Sequence, residues 1–400
     1  MSAVSLSSQT GAVAMRDDIA TVATTLEQVE ALRPAWNTLP VVDIDSDIDY
    51  FMTVVKHAKQ VVRPHVVHIR RDDGSSLIAV ARLENLPVAF RFGYRTLGRV
   101  TLRAIVVTFD GILGARTRED EALVMRHLTD AFKSGKADLL LMRNVDIEST
   151  LYQEATAATG TARRAHGQPA APRWVACMAG SLEQFLESRS VKTRETLRRH
   201  DRRLTDKFGD RLRLHRWRSL EDLPRICSDM ETVAAKSYQR GLGVGYLGDP
   251  MQRGLIELGL ERGWHRTWML SIDEQPVAFW TGLAYAGTFF AGTPGFDPEY
   301  GKYSVGRLTM LRMIEDLCAD PDIKCLDFGH GDAEYKSAYA QRIRMESDVM
   351  LAARRPWPML VVLAVSALAM INKQARRFAE NTELGRRLKA GWRHGKAQGG

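Results

Sequence analysis

Cysteine is scarce, with four residues in a chain of 400, and no two of them stand at C-x-x-C spacing. Cys177, Cys227, Cys318 and Cys325 therefore read as reduced thiols in a reducing compartment, not as a metal or redox site. No H-E-x-x-H occurs and His65 and His68 alternate as on a strand, so no metal is expected. No G-x-S-x-G elbow occurs, which disfavours a serine hydrolase. Gly241, Gly243 and Gly245 miss the dinucleotide spacing by one place, outside any βαβ unit; they read as a loop lining the acceptor side. Asp327-Phe328-Gly329 shares its letters with the kinase metal triplet, but no catalytic loop or paired lysine accompanies it. The stretch from Met1 to Met15 lacks a charged start and a continuous apolar run, so it is expected to be a loose tail and not a secretory signal. One apolar run, Met359 to Ile371, is about a third shorter than the ~20 residues that cross a bilayer. Arg354 and Arg355 precede it, and Lys373, Arg376 and Arg377 follow. Two readings stand: a C-terminal helix docked on the protein, or a peripheral membrane contact through residues 356–377.

What is present is ordinary globular composition. Apolar residues make up 45% and charged residues 26%, enough to bury a core and to exclude a disordered chain. A net charge of +8 suits an anionic partner without choosing among phosphate, nucleic acid and lipid. The hydrophobic period predicts the same element order twice. The first half reads as helices at Thr25–Leu39 and Tyr50–Val62, strands at His65–Arg70, Leu77–Leu83 and Val100–Phe109, a helix at Asp120–Phe132 and a strand at Leu139–Asn144. The second reads as helices at Ser181–Glu187, Lys192–Lys207 and Asp222–Lys236, strands at Trp264–Ile272, Val277–Tyr285 and Thr288–Thr293, a helix at Val305–Cys318, a strand at Lys324–Phe328, a short helix at Ala333–Tyr339 and a last strand at Glu346–Ala353. The expected fold is mixed α/β, built from two tandem halves. The expected divisions are a tail over 1–20, halves over 21–178 and 179–355, and an apolar helix with a basic tail over 356–400.

Chemistry concentrates in the second half. A Gly/Pro-rich loop leads into a helix at Tyr303, Ser304, Val305, Gly306 and Arg307. A helix N-terminus offers unpaired N–H groups and partial positive charge, so this start could seat a phosphate. Ser304 could cap it, Gly306 would admit a close approach and Arg307 could add a charge-assisted bond. Asp327, His330, Asp332, Tyr335 and Lys336 form a second, denser cluster at a strand end, where α/β sheets place their sites. Alternatively, Asp332 caps the Tyr335 helix and Lys336 is merely solvated. A basic helix carries Arg189, Lys192, Arg194, Arg198, Arg199, Arg202 and Arg203 outside an apolar face of Val191, Leu197 and Leu204. It reads as a solvated face, or as a surface for an anionic acceptor or the nucleotide end of a donor.

These motifs resemble the GNAT-fold acetyltransferases of the CelD type, associated with cellulose and exopolysaccharide genes, and their FemX-like tandem relatives. The resemblance rests on Ser190 to Arg199, Gln275 to Ala278, Tyr303 to Leu308, and Leu326 to Gly329 with Tyr335-Lys336. Val305 stands where that family usually carries proline. The resemblance implies two GNAT-like halves and an acyl-CoA donor, acetyl-CoA by preference. The pantetheine arm would lie against a splayed strand near Phe289 to Thr293, and the pyrophosphate at Tyr303 to Arg307. Tyr335 would protonate the leaving thiolate, with Tyr339 as competitor, and Asp327 or Asp332 would orient or deprotonate the acceptor. Arg194, Arg198 and Lys336 would bind substrate.

The expected function is acyl transfer from acyl-CoA to an amine or hydroxyl of a small-molecule or saccharide acceptor, in exopolysaccharide or cell-envelope metabolism. The expected location is cytoplasmic, with a peripheral position at the inner membrane face as the variant. The alternatives are a FemX-like transferase using aminoacyl-tRNA, and a non-catalytic polysaccharide-assembly protein at the membrane.

Overall fold

The computed structural model describes residues 18–93, 95–189, 191–237, 240 and 243–381. The first half contains β1 (Ile19–Ala23), α1 (Leu26–Glu30), α2 (Arg33–Trp36), α3 (Ile48–His57), β2 (Val61–Pro64), β3 (Val66–Arg70), β4 (Ser76–Phe92), β5 (Arg95–Leu113), α4 (Arg118–Lys133), β6 (Leu139–Asp146), α5 (Thr150–Ala157) and β7 (Ala171–Cys177). The second contains α6 (Leu182–Glu187), α7 (Val191–Phe208), β8 (Leu212–Trp217), α8 (Leu223–Lys236), α9 (Pro250–Glu261), β9 (His265–Ile272), β10 (Gln275–Tyr285), β11 (Thr288–Phe296), α10 (Val305–Ala319), β12 (Cys325–His330), α11 (Glu334–Tyr339) and β13 (Gln341–Ala352). A final helix, α12 (Pro356–Asn381), follows.

The fold is mixed α/β, as the sequence pattern implies. All strands join one sheet in the order β1-β3-β4-β5-β6-β13-β7-β12-β11-β10-β9-β8, with β2 paired to β4. In each half an antiparallel meander leads through a helix to a parallel strand. β3, β4 and β5 lead through α4 to β6; β9, β10 and β11 lead through α10 to β12. A parallel pair needs such a crossover, because a tight turn can only reverse the chain. Each half then lends its last strand to the other. β7 pairs with β12, and β13 pairs with β6. The two lent strands pair with each other and close the sheet.

Helical period read from the sequence locates the core well. The expected stripe Leu223, Ile226, Met230 and Val233 is buried throughout on α8. Thr25 to Leu39 forms two short helices in place of one, because Pro34 in the first turn of α2 cannot continue the α1 hydrogen bonding. β4 and β5 run far beyond the expected strands, past Pro87. Beyond Glu84 only β5 pairs β4. One edge is therefore free, and proline's missing donor costs nothing there. Cys177 and Cys325, distant in sequence, stand directly opposite on β7 and β12.

Side chains alternate across the first half of the sheet. Ile105, Val107, Leu140 and Met142 face α4 and α5, while Val106, Leu139 and Leu141 on the other face pack on Val361 and Val362 of α12. The docked reading of the C-terminal helix thus describes one of its faces. The length argument, by contrast, needs correction. The helix continues through the flanking residues, and Pro356–Ala375 is long and apolar enough to cross a membrane by length and composition.

Arg173 holds the seam between lent strands. It is 7% exposed and pairs with Asp327 at 2.6 Å, Asp43 at 3.2 Å and Glu346 at 3.6 Å. Removing one partner of a buried charge network leaves the others uncompensated. Arg173→Ala is expected to lower stability by about 3–5 kcal/mol, measured by urea denaturation. A loss within experimental error would show that the seam does not depend on this charge.

Candidate functional site

The second half contains a forked pair of strands. β11 and β12 pair at Thr288–Cys325, Phe289–Leu326 and Phe290–Asp327, and nowhere beyond. From there β11 stays on β10 as far as Phe296, while β12 turns to β7. The fork falls where the resemblance placed a splayed strand, and α10 begins beside it.

Ser304 precedes α10 at φ 60° and ψ 36°, in the left-handed region. A non-glycine residue rarely occupies that region. Its side chain does not cap the helix, which corrects the expectation of a serine cap. Its carbonyl instead accepts from the amides of Arg307 at 3.0 Å and Leu308 at 3.1 Å. Among the described residues no acceptor meets the amides of Val305 and Gly306, and the first turn carries no acidic side chain. A left-handed residue followed by helical ones turns successive N–H groups to one side, an anion-binding arrangement. Val305 supplies a donor there that proline would lack. The atoms nearest to a Cβ on Gly306 would belong to Phe296, from 3.5 Å, an ordinary contact, so the protein itself leaves room for a side chain. Tyr303 packs edge-on against Phe208 at 5.0 Å, with Lys302 and Arg203 over its ring at 5.1 and 5.9 Å. Arg307 is exposed; burial raises the Tyr339 hydroxyl pKa, and nearby Arg307 only partly opposes that shift.

α7 runs antiparallel to α10, bringing Arg203 to the α10 start. Arg194 lies in a crevice of about 510 Å³ with Arg312, Glu315 and Ala319 near the other end of α10. At 1.5 Å per residue the two arginines are about 14 Å apart along α7. The structure therefore separates Arg194 from the α10 start. The Arg198 side chain lies outside the described residues, as do Gly241 and its neighbour Leu242.

Tyr335 is brought to the fork. Its ring stands edge-on to Phe328, just past the paired part of β12, and to Trp280. The Trp280 indole N–H donates to the Gly306 carbonyl at 3.1 Å. Burial raises the Tyr335 hydroxyl pKa, so it keeps its proton at neutral pH. Tyr339 is 4% exposed inside the core. Lys336 is neither solvated nor turned to a substrate: it is 8% exposed, and its ammonium donates to the carbonyls of His330 at 2.8 Å and Gly329 at 3.3 Å. Asp327 accepts from Arg173 at 2.8 Å and from the Gly329 amide at 2.6 Å. It holds the loop in place. Asp332 is exposed and caps nothing, since Ala333 occupies the α11 cap position without a side-chain bond.

The first half holds a counterpart that is closed. β5 and β6 also fork, beyond Val107–Met142, around a cleft of about 260 Å³ lined by Thr108, Gly111 and Asn144. The following helix start carries its own carboxylates. Asp120 accepts from the amides of Arg116 at 2.8 Å and Thr117 at 3.1 Å, completes a capping box with Thr117, and pairs with Arg71. Burial alone would raise the Asp120 pKa, but those partners hold it below the usual carboxylate range. With Glu119 and Glu121 alongside, this start repels an anion.

Sequence reasoning missed a cluster at the seam. Arg173 joins Asp43, Asp327 and Glu346, and Glu346 also meets Arg344 at 2.7 Å and His330 at 3.2 Å. Beside it, burial and the neighbouring Asp43 push the Asp45 carboxyl up to about 7. A carboxyl at that value exchanges protons readily at neutral pH. No local motif announces it, because its members come from four separate segments.

Residues 191–337 match the acetyltransferase (GNAT) domain family. No curated protein matches the sequence. Among solved structures, FemX is 10% identical over 86% of this chain and 100% of its own, with a TM-score of 0.54. A tandem GNAT protein from the clavulanic acid biosynthesis pathway is 11% identical over 85% of this chain and 100% of its own, at 0.48. The C-terminal domain of a putative lysylphosphatidylglycerol synthetase from Agrobacterium fabrum is 13% identical over 86% and 96%, at 0.47. The FemX likeness is one of fold. The family match runs from α7 into α11, over less than half of the chain, and the general activity of that family is acyl transfer.

Asp45 makes stability depend on pH with a definite sign. Its folded value lies above the unfolded one, so its contribution is intact below pH ~4 and is lost as pH rises towards 7. Asp45→Asn is expected to exceed the parent in stability at pH 8 by on the order of 4 kcal/mol, with the difference vanishing near pH 4. Denaturation across that range checks it, and a pH-independent difference would refute the assignment.

Proposed function

We propose that the chain transfers an acyl group, acetyl by preference, from acyl-CoA to an amine or hydroxyl, with saccharides of the cell envelope or exopolysaccharide as the first acceptors to screen. One observation carries this reading: of two equivalent helix starts beside forked strands, that of α4 carries Glu119, Asp120 and Glu121 in its first turn, while that of α10 carries no acidic residue and presents its amides among cations. A pyrophosphate complements the second and is repelled by the first. The pantetheine arm would enter the fork beyond Phe290 and Asp327, and the nucleotide end would meet Arg203 on α7.

In the transfer step the acceptor nitrogen or oxygen attacks the thioester carbonyl, the carbon–sulfur bond breaks and the acceptor loses a proton. The departing thiolate takes a proton from Tyr335. Catalysis comes mainly from placing both substrates and from N–H groups facing the developing oxyanion. Asp327 acts here as a positioning residue through Arg173 and the Gly329 loop. Asp332 is the freer carboxylate for the acceptor, and Asp45 is a further candidate base.

Calorimetric titration of acetyl-CoA and CoA into the protein tests the reading. Saturable binding is expected, reduced at least tenfold by Gly306→Trp, whose side chain would cover the Val305 and Gly306 amides. A folded protein that binds neither ligand overturns the proposal. With an acceptor in hand, Tyr335→Phe is expected to lower kcat by about 100-fold with little change in the donor KM. An unchanged kcat would remove Tyr335 from the mechanism.

A further inference from the structure

α12 has two apolar faces, and among the described residues only one has a partner. The inner stripe, with Val361, Val362 and Val365, packs on Leu86, Val106 and Leu141. It is pinned along its length. Arg355 pairs with Asp138 at 2.8 Å and donates to the Ala137 carbonyl at 2.7 Å. The Ser366 hydroxyl accepts from the His166 amide at 2.9 Å. The Asn372 side chain donates to the Arg91 carbonyl at 2.9 Å and accepts from the Gly93 amide at 2.8 Å.

The outer stripe follows the same helical spacing through Trp357, Leu360, Leu363, Ala367, Met370 and Ile371. Trp357 is 55% exposed and Leu360 58%. A surface helix ordinarily turns polar residues outward; one that is apolar all round belongs in a core or in lipid. The tip of the β4–β5 hairpin, held against Asn372, adds exposed Phe92 and Leu97. Cations surround these groups: exposed Arg91, Arg95 and Arg99 on the hairpin, with Lys373 and Arg377 at the end of the helix. Arg91, Lys373 and Arg377 also share a crevice of about 720 Å³ between hairpin and helix.

We propose that this face docks on an anionic lipid membrane, with α12 lying flat, its outer stripe in the acyl boundary and the surrounding cations on lipid phosphates. Apolar residues flanked by lysine and arginine are the signature of such interfacial helices. A second copy of the chain is a poorer occupant, because pairing through this patch would bring two cationic rims together. A spanning arrangement is disfavoured too, since withdrawing α12 would uncover Val106 and Leu141 and break the Arg355 and Asn372 bonds. The inference does not depend on the acyltransferase reading.

The full-length chain would be sedimented with phosphatidylcholine vesicles, with and without about one-third phosphatidylglycerol. Binding is expected to be at least about tenfold stronger on the anionic vesicles and to weaken with salt. The triple variant Leu360→Ser, Leu363→Ser, Met370→Ser changes only exposed side chains, and should keep the parental Tm while losing at least about tenfold in binding. Lipids brominated near the headgroup should quench parental fluorescence more than that of Trp357→Phe. Absence of vesicle binding, or equal binding by the triple variant, overturns the proposal. A parental dimer that the triple variant dissolves, and that vesicles do not disrupt, would assign the stripe to a second copy and overturn it equally.

Discussion

Arg173 carries its charge into the centre of a thirteen-stranded sheet, between two strands that the halves have lent to each other. A buried guanidinium is tolerated only where several carboxylates reach it in the right geometry. Burial opposes its charge, and Asp327, Asp43 and Glu346 more than offset that effect. Those carboxylates come from β12, β13 and the loop before α3. The network therefore forms only when β7 and β13 have crossed over in register. A slip by one residue would turn Arg173 to the opposite face. The apolar residues of the lent strands favour burial in general; the charges select the pairing partner.

The same seam positions the candidate site. Asp327 bonds Arg173 with one oxygen and the Gly329 amide with the other. Lys336 closes the loop by donating to the carbonyls of Gly329 and His330. Tyr335, the next residue on α11, is thereby set against Phe328 and Trp280 at the fork, and Trp280 in turn bonds the first turn of α10. The polar residues at 327 and 336 act by position. This explains why a dense polar motif in the sequence proves to be mostly internal bonding around one aromatic hydroxyl.

The legible parts of the fold share one property: their signal lies within a short window. The α8 stripe, the meander of β9, β10 and β11, and the Ser304–Arg307 helix start were readable because period and loop composition are local. The exchange of β7 and β13 was not, since nothing in Ala171–Cys177 distinguishes pairing with β12 from pairing with β6. Asp43 and Asp45 escaped for a related reason. Their chemistry arises from burial beside Arg173 and each other, across more than a hundred residues of sequence. A serine before a helix ordinarily caps it, but Ser304 closes the 3-10 turn over Pro298–Tyr303 in the left-handed region, its amide bonded to the Gly301 carbonyl.

The two halves repeat one element order, with two forks in the sheet and two helix starts, and these differ in charge. In the second half the α10 start keeps its amides open and its surroundings cationic. In the first, Glu119, Asp120 and Glu121 crowd the first turn of α4, Asp120 binds the amides just before it, and Arg71 pairs with that carboxylate. That closure stabilises the first half without a ligand, as a capping box does in any helix. It also frees the half from needing access to its own cleft. The opposite face of its sheet is covered by α12, so the half can serve as a rigid platform with α3 packed on α9 of its neighbour and Tyr285 bonded to Asp47 at 3.0 Å. A platform of this kind holds the open half at a fixed orientation to whatever covers the outer stripe of α12.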